Sequence, residues 1–140
     1  YEIRSVVLCN FSNLLIYSTN NNNRALTGFW IESSLKISPK EQVEVMERIF
    51  GTDSTYSERT QNILKQVMLI SEENNTEISI YGKTGMGKAE GIVVDAWFTG
   101  FAETLEGNKY FCVYLGQSDA GNTSSTAAKE IAIQILNDNK

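Results

Sequence analysis

The chain has 140 residues, which suits one compact domain, and 41% of them are hydrophobic and 21% charged. The formal net charge of -5 argues against a general nucleic-acid-binding protein, and no apolar run approaches the roughly 20 residues of a membrane helix. Because the sequence has no histidine and only two cysteines, Cys9 and Cys112, we expect neither a metal centre nor a cofactor. Both cysteines lie in apolar runs typical of buried strands, and the sequence leaves open whether they form a disulfide.

Two β-rich runs open the chain. The runs IRSVVLCNF and NLLIYST are separated by a few polar residues and predict a β-hairpin. The four asparagines of Asn20–Asn23 follow, and because asparagine favours turn conformations they predict a loop. We therefore expect an N-terminal hairpin and turn over residues 1–26.

Two helices are predicted in the middle of the chain. The first, ISPKEQVEVMERIF, begins at a Ser-x-x-Glu capping box formed by Ser38 and Glu41. The second is SERTQNILKQVMLI, in which apolar residues recur at helical spacing. The apolar stripe of this second helix consists of Ile63, Val67 and Ile70.

The C-terminal half predicts three strands and a final helix. The run TEISIYGK alternates polar and apolar residues, and GIVVDAWFTGFAETL is rich in aromatic and β-branched residues. NKYFCVYLGQ follows the turn signal EGN, so we expect these last two strands to pair as a hairpin. NTSSTAAKEIAIQILND then shows the apolar periodicity of a helix.

The order of these elements indicates the fold class. Strands are grouped in hairpins and do not alternate singly with helices, which favours antiparallel over parallel pairing. We therefore predict an α+β fold with an antiparallel sheet of about five strands and flanking helices.

A glycine-rich stretch, YGKTGMGK, raises the question of which anion it binds. Gly82 to Lys88 fits most of a phosphate-binding loop, G-x-x-x-x-G-K, but Ala89 stands where a serine or threonine must reach the metal ion. Such a loop also leads into a helix, whereas the residues that follow here predict a strand. Both departures argue against a nucleotide site.

The triplet Lys83-Thr84-Gly85 favours a different anion. A lysine ammonium and a threonine hydroxyl can hold a carboxylate by charge-assisted hydrogen bonds, and glycine leaves room for a ligand to lie along the strand. The backbone N–H of Met86 can then serve one side of an oxyanion hole. Lys-Thr-Gly is also the strand motif of penicillin-recognising enzymes.

Several segments carry a resemblance to a known family. YGKTGMG and DAWFTGFAET, at their spacing, closely resemble the class D, oxacillinase-type, serine β-lactamases and the penicillin-binding sensor domains of β-lactam receptors. FWIESSLKISPKEQVEVMERIF is similar to the family's omega-loop and the helix after it, and YSERTQNILKQVML to the next helix. The resemblance is nearly continuous from Phe29 to the C-terminus.

This resemblance implies one domain over residues 1–140, the α/β half of the β-lactamase/transpeptidase-like fold. In that interpretation residues 1–26 are the opening hairpin and turn. Residues 29–140 hold the omega-loop-like segment, two helices, three strands and the C-terminal helix. It also implies a location outside the cytoplasm.

The chain departs from the family where the nucleophile should be. In the family the opening hairpin leads into a helical domain that carries a nucleophilic Ser-x-x-Lys motif, but here only Leu26–Gly28 stand in its place. We interpret this as a deletion of the helical domain between Ala25 and Phe29. Ser33 and Lys36 also satisfy Ser-x-x-Lys, but they precede the first predicted helix and do not share a helical turn. No catalytic residue is therefore expected.

The remaining site residues follow from the resemblance. It implies substrate-binding roles for Lys83, Thr84, Gly85, Met86 and Trp97. By alternation, one of Trp97 and Phe98 should face the core and the other the site or solvent. Trp30 matches the family's omega-loop tryptophan, which forms a hydrogen bond with the catalytic lysine. Because that lysine has no counterpart here, we interpret Trp30 as a packing residue. The family's carboxylate-binding arginine has no counterpart, and Lys129 is the nearest cation.

Two functions are compatible with this sequence. The first is a penicillin-recognising domain that holds the carboxylate of a β-lactam, or of a small molecule like peptidoglycan, without hydrolysing it alone. The second is a non-catalytic scaffold or interaction domain. Because losing the helical domain would uncover apolar surface, we expect homo-oligomers formed through the exposed sheet face, or a rearrangement of the two middle helices.

Overall fold

The computed structural model describes residues 3–9, 37–72, 78–116 and 123–138. The strands are β1 (Ile3–Cys9), β2 (Leu69–Glu72), β3 (Ser79–Ala89), β4 (Ile92–Thr104) and β5 (Gly107–Gly116). The helices of these ranges are α1 (Pro39–Phe50), α2 (Glu58–Met68) and α3 (Ser125–Asp138). All strand pairs are antiparallel, and the five strands lie in the order β1-β5-β4-β3-β2. The predicted α+β fold class is confirmed.

The helix starts follow from local hydrogen bonding. At α1 the Ser38 N–H donates to Glu41 Oε2 at 2.7 Å, and the Glu41 N–H donates to Ser38 Oγ at 3.2 Å. This is the capping box that the sequence predicts, and it satisfies backbone groups that have no partner inside the helix. At α2 the Thr60 N–H donates to Ser57 Oγ at 3.2 Å in the same way.

The end of α2 differs from the sequence interpretation. The helix ends at Met68, and Leu69–Glu72 form β2, an edge strand that pairs with β3. Ile70 therefore belongs to a strand and not to the predicted helical stripe. Apolar β-branched residues suit either structure, and pairing with β3 stabilises the strand. The described part of residues 29–140 thus holds four strands, where the sequence predicts three.

The core has two layers, one on each face of the sheet. Helix α3 covers the face that carries Phe98 and Phe111, whereas α1 and α2 cover the face that carries Phe101 and Tyr110. Phe98 and Phe101 both have 0% of their surface exposed, so the central strand β4 is buried on both sides. The expected exposed sheet face is therefore not found at the middle of the sheet.

Exposed apolar side chains occur instead on α2. Val67 is 69% exposed and Ile63, one turn earlier, is 50% exposed. Their neighbours Leu64 and Met68 point to the core beside Phe101. The helix thus presents Ile63 and Val67 of its predicted stripe to solvent and turns Leu64 and Met68 toward the core.

Other sequence predictions lie outside the described residues. These are the second strand of the N-terminal hairpin, the asparagine loop, and the residues Trp30, Ser33 and Lys36. Among the described residues, no helix is both long and apolar enough to cross a membrane.

Candidate functional site on strand β3

The open edge of β3 is the main feature of the candidate site. On one side β3 pairs with β4 along its whole length, from Ser79 to Ala89. On the other side β2 pairs only with Ser79–Tyr81. From Gly82 onward, no strand of the described ranges pairs with this second edge, and an unpaired strand edge offers backbone N–H and C=O groups to a ligand.

The predicted anion-binding residues all lie on this open stretch. Lys83, Thr84, Gly85 and Met86 are exposed, and Met86 has 52% of its surface accessible. Lys83 forms no ion pair with any side chain in the described ranges. The ammonium group is therefore available to an external carboxylate within this part of the chain.

The strand register separates the lysine from the threonine. Lys83 lies opposite Thr99 and Thr84 opposite Phe98, so their side chains emerge on different faces of the sheet. Thr84 is on the Phe98 face, which α3 covers, and Lys83 is on the opposite face. A ligand that reaches both side chains must therefore lie along the edge of β3 and not over either face.

Trp97 lies on the same face as Lys83. It is paired with Gly85, and an added Cβ on this glycine would lie 3.8 Å from the Cβ of Trp97. The indole ring packs on Tyr114, with ring centroids 4.4 Å apart. As the alternation predicts, Phe98 faces the core, whereas Trp97 is only partly buried.

Asp95 is a site residue that the sequence interpretation missed. Its Oδ1 accepts a hydrogen bond from Trp97 Nε1 at 3.0 Å and another from the Gly87 N–H at 3.0 Å. A signal was present, because Asp95 stands two positions before Trp97 in one strand and so shares its face. The contact with Gly87 depends on the register between two strands, which the sequence does not state.

Cys112 is buried and carries a free thiol. Burial raises its pKa to about 12, although a hydrogen bond with Thr99 acts in the opposite direction. The group is thus a neutral thiol at physiological pH and not a nucleophile. The strand register places Cys112 opposite Val7 and Cys9 opposite Tyr110. Cys112 forms no disulfide in this structure.

Lys129, the nearest cation that the sequence offers in place of the family's arginine, has no described contact with the open edge. Lys129 lies in α3, which packs on the Phe98 face, and no described contact joins it to Lys83. Across the described ranges, no group of three or more His, Cys, Asp or Glu side chains is arranged to hold a metal ion.

A match to a family model shows which class of protein this chain belongs to. Residues 9–137 match the family model described as the penicillin binding protein transpeptidase domain. The chain therefore belongs to the penicillin-binding protein transpeptidase domain family.

Individual relatives include a β-lactamase and a regulatory protein. The chain is 38% identical over 119 residues to the β-lactamase OXA-1 of Escherichia coli. The matched segment covers 82% of this chain and 42% of that protein. It is 33% identical over 117 residues to the regulatory protein BlaR1 of Staphylococcus aureus, covering 84% of this chain and 19% of that protein.

Solved structures agree with this relationship. A class D β-lactamase from Bacillus subtilis superposes with a TM-score of 0.66 at 31% identity, covering 79% of this chain and 42% of that one. The class D enzyme FUS-1 of Fusobacterium nucleatum subsp. polymorphum gives a TM-score of 0.64 at 27% identity, covering 79% and 44%. The resemblance inferred from the sequence is confirmed, and the chain spans less than half the length of these β-lactamases.

Proposed function

We propose that this chain is a β-lactam-recognising domain of the class D β-lactamase type, with the ligand held along the open edge of β3. The observation that carries this proposal is the exposed run Lys83–Met86 on a strand edge that β2 leaves unpaired. A carboxylate at this edge would meet the ammonium of Lys83 and the hydroxyl of Thr84, and a nearby acyl oxygen would meet the N–H of Met86. Trp97 would border the ligand on the Lys83 face.

The domain binds in this proposal but does not turn over its ligand alone. β-Lactam hydrolysis in the family needs a nucleophilic serine and a lysine that takes its proton. We infer that the helical domain with both groups is absent, because three residues, Leu26 to Gly28, stand where it would begin. A location outside the cytoplasm is part of the same proposal, and fractionation of cells that carry the natural gene tests it.

A labelled penicillin tests binding and acylation together. We expect reversible binding of a fluorescent penicillin, seen as concentration-dependent anisotropy, without a labelled band after denaturation. Lys83→Ala should weaken this binding by about tenfold or more, since a hydrogen bond to a charged group contributes about 1.5–3 kcal/mol. Lys88→Ala is the matched control, because Lys88 is also an exposed lysine of β3 but lies outside the triplet. Equal losses in both variants would refute the role of Lys83.

A nitrocefin assay tests whether the chain hydrolyses a β-lactam on its own. We expect no turnover by the wild-type chain. Hydrolysis that is abolished by Ser33→Ala would show that Ser33 is a nucleophile after all, and the proposal of a non-hydrolysing domain would then be wrong.

A second candidate function is a scaffold or interaction domain that self-associates. The observation in its favour is the exposed stripe of Ile63 and Val67 on α2. In this second proposal the copies meet through α2, because the middle of the sheet is buried on both faces. The two candidates differ in one measurement, because a scaffold without a ligand site binds no penicillin.

A further inference from the structure

Asp95 connects two strands at the point where their regular pairing ends. Gly87 lies opposite Asp95, but the next pair is Lys88 with Val93, so Val94 is an extra residue and forms a bulge in β4. At this bulge Asp95 Oδ1 accepts the Gly87 N–H across the strands and the Trp97 indole N–H along its own strand, each at 3.0 Å. One carboxylate oxygen therefore joins Gly87, near the C-terminal end of β3, to the indole ring of Trp97, which lies on the Lys83 face of the sheet.

Gly87 leaves room for the Asp95 carboxylate in its observed position. A Cβ added at Gly87 would lie 2.5 Å from Asp95 Oδ1 and 2.8 Å from Oδ2, closer than non-bonded atoms approach. The carboxylate thus occupies the space that a side chain at position 87 would fill. The position of the Asp95 carboxylate therefore depends on the absence of a side chain at Gly87.

The arrangement also sets what Trp97 can offer to a ligand. The indole has a single donor, Nε1–H, and Asp95 already accepts it. Packing on Tyr114 fixes the ring from another side. Trp97 therefore presents carbon surface and no free hydrogen-bond donor to the edge of β3.

We propose that Asp95 is a positioning residue, which holds Trp97 and the open stretch of β3 from Lys83 to Gly87 in one arrangement before a ligand binds. Preorganisation of this kind raises affinity because less conformational freedom is lost on binding. The consequence for ligand affinity rests on the proposed function, whereas the constraint on the strand does not.

Three variants separate the hydrogen bonds from the charge. Asp95→Asn keeps an oxygen in place of Oδ1, so it retains both accepted bonds and loses only the negative charge. Asp95→Ala removes both bonds. Gly87→Ala leaves the carboxylate intact but displaces it, and it should behave like Asp95→Ala.

Hydrogen exchange measured by NMR tests the constraint on the strand. The signals are the backbone amides from Lys83 to Gly87 and the indole N–H of Trp97, which a Trp97→Phe variant identifies. Loss of hydrogen bonds to a charged acceptor should raise exchange at Gly87 and at the indole by about tenfold or more in Asp95→Ala and Gly87→Ala. Asp95→Asn should exchange within about threefold of the wild type, because a bond to a neutral acceptor is about half as strong. Unchanged exchange in Asp95→Ala overturns the proposal.

Binding of fluorescent penicillin tests the consequence for the site. If the wild type binds, we expect Asp95→Ala and Gly87→Ala to lose about tenfold in affinity and Asp95→Asn to keep it. Faster exchange with unchanged affinity would mean that Asp95 stabilises the fold without positioning the site, and the proposal would be wrong. If the wild type binds no penicillin, the proposed function fails, and the exchange rates of the Gly87 amide and the Trp97 indole then decide by themselves whether Asp95 constrains the strand.

Discussion

At the scale of single residues, glycines decide how closely the central strands approach each other. A Cβ on Gly100 would lie 1.9 Å from the carbonyl oxygen of Tyr81 and 2.7 Å from the Cα of Gly82. Both atoms belong to the backbone of β3, so neither can turn aside as a side chain would. Gly85, by contrast, has room, since its added Cβ would meet only the Cβ of Trp97 at 3.8 Å.

This contrast predicts different effects for two similar substitutions. Gly100→Ala should lower the free energy of unfolding by about 3 kcal/mol or more, because β3 and β4 must move apart. Gly85→Ala should change it by less than about 1 kcal/mol, yet weaken penicillin binding, because the methyl group narrows the space between the edge of β3 and Trp97. Urea unfolding and anisotropy titration measure the two quantities. A stable Gly100→Ala protein would contradict the close strand approach, and full binding by Gly85→Ala would contradict the ligand edge.

The sequence predicted the residues of the triplet but not all of their geometry. Lysine, threonine and glycine are recognisable because their chemistry suits a carboxylate wherever the strand lies. The separation of Lys83 and Thr84 onto different faces follows from alternation alone. The contact of Asp95 with Gly87 could not be predicted, since it depends on the register between β3 and β4.

At the scale of elements, the start of α1 shows how local bonds define a helix. The Glu41 carboxylate accepts the Ser38 N–H, and this bond is the main reason why the pKa of Glu41 is lowered from its ordinary value of 4.5. Since the folded-state pKa is lower than the unfolded one, the contribution to stability is complete above pH 4.5. It is lost as the pH falls through the lower, folded-state pKa.

Two substitutions at this capping box should therefore differ in their pH dependence. Ser38→Ala removes the side-chain acceptor and should cost about 1 kcal/mol at neutral pH, while the backbone N–H still reaches Glu41. Because glutamine does not titrate, Glu41→Gln should remove the part of the acid-induced loss of stability that comes from this capping box. Urea midpoints measured at neutral pH and across the acid range test both expectations. An acid dependence that is the same in Glu41→Gln and wild type would show that other carboxyl groups account for it.

A second contact shows how α2 is held against the sheet. Glu103 of β4 accepts hydrogen bonds from Tyr81 at 2.9 Å and from Lys65, with which it forms an ion pair. The Lys65 ammonium also lies 5.8 Å from the centre of the Phe101 ring. These contacts fix which side of α2 faces the core, and they leave Ile63 and Val67 outside.

For the whole molecule, the exposed side of α2 with Ile63 and Val67 is where self-association can be tested. Exposed apolar residues on neighbouring turns favour contact with another surface. If α2 forms the contact between copies, Val67→Asp should shift the protein to monomer, because a charge would be buried there without a partner. Gln66→Asp adds the same charge at an exposed neighbouring position and should leave the association unchanged. Sedimentation velocity over a range of concentrations measures this, and a wild type that stays monomeric without binding an apolar dye would contradict the scaffold function.

The amino-acid sequence was enough to identify the family, the helix starts and most of the described strands. These features depend on short-range patterns, namely the caps at Ser38 and Ser57, the alternation of β3 and the spacing of the Lys-Thr-Gly and DAWFTGFAET segments. Such patterns act through neighbours along the chain, so they are visible without the fold.

Features that require two distant segments to meet became visible only in the folded chain. Leu69–Glu72 become a strand because β3 supplies a partner for their backbone groups. Asp95 contacts Gly87 because the register between β3 and β4 places the two residues opposite each other, and the edge of β3 stays open because β2 begins only at Leu69, opposite Tyr81. Cross-strand contact distances are set by packing and register, which arise only when the sheet forms.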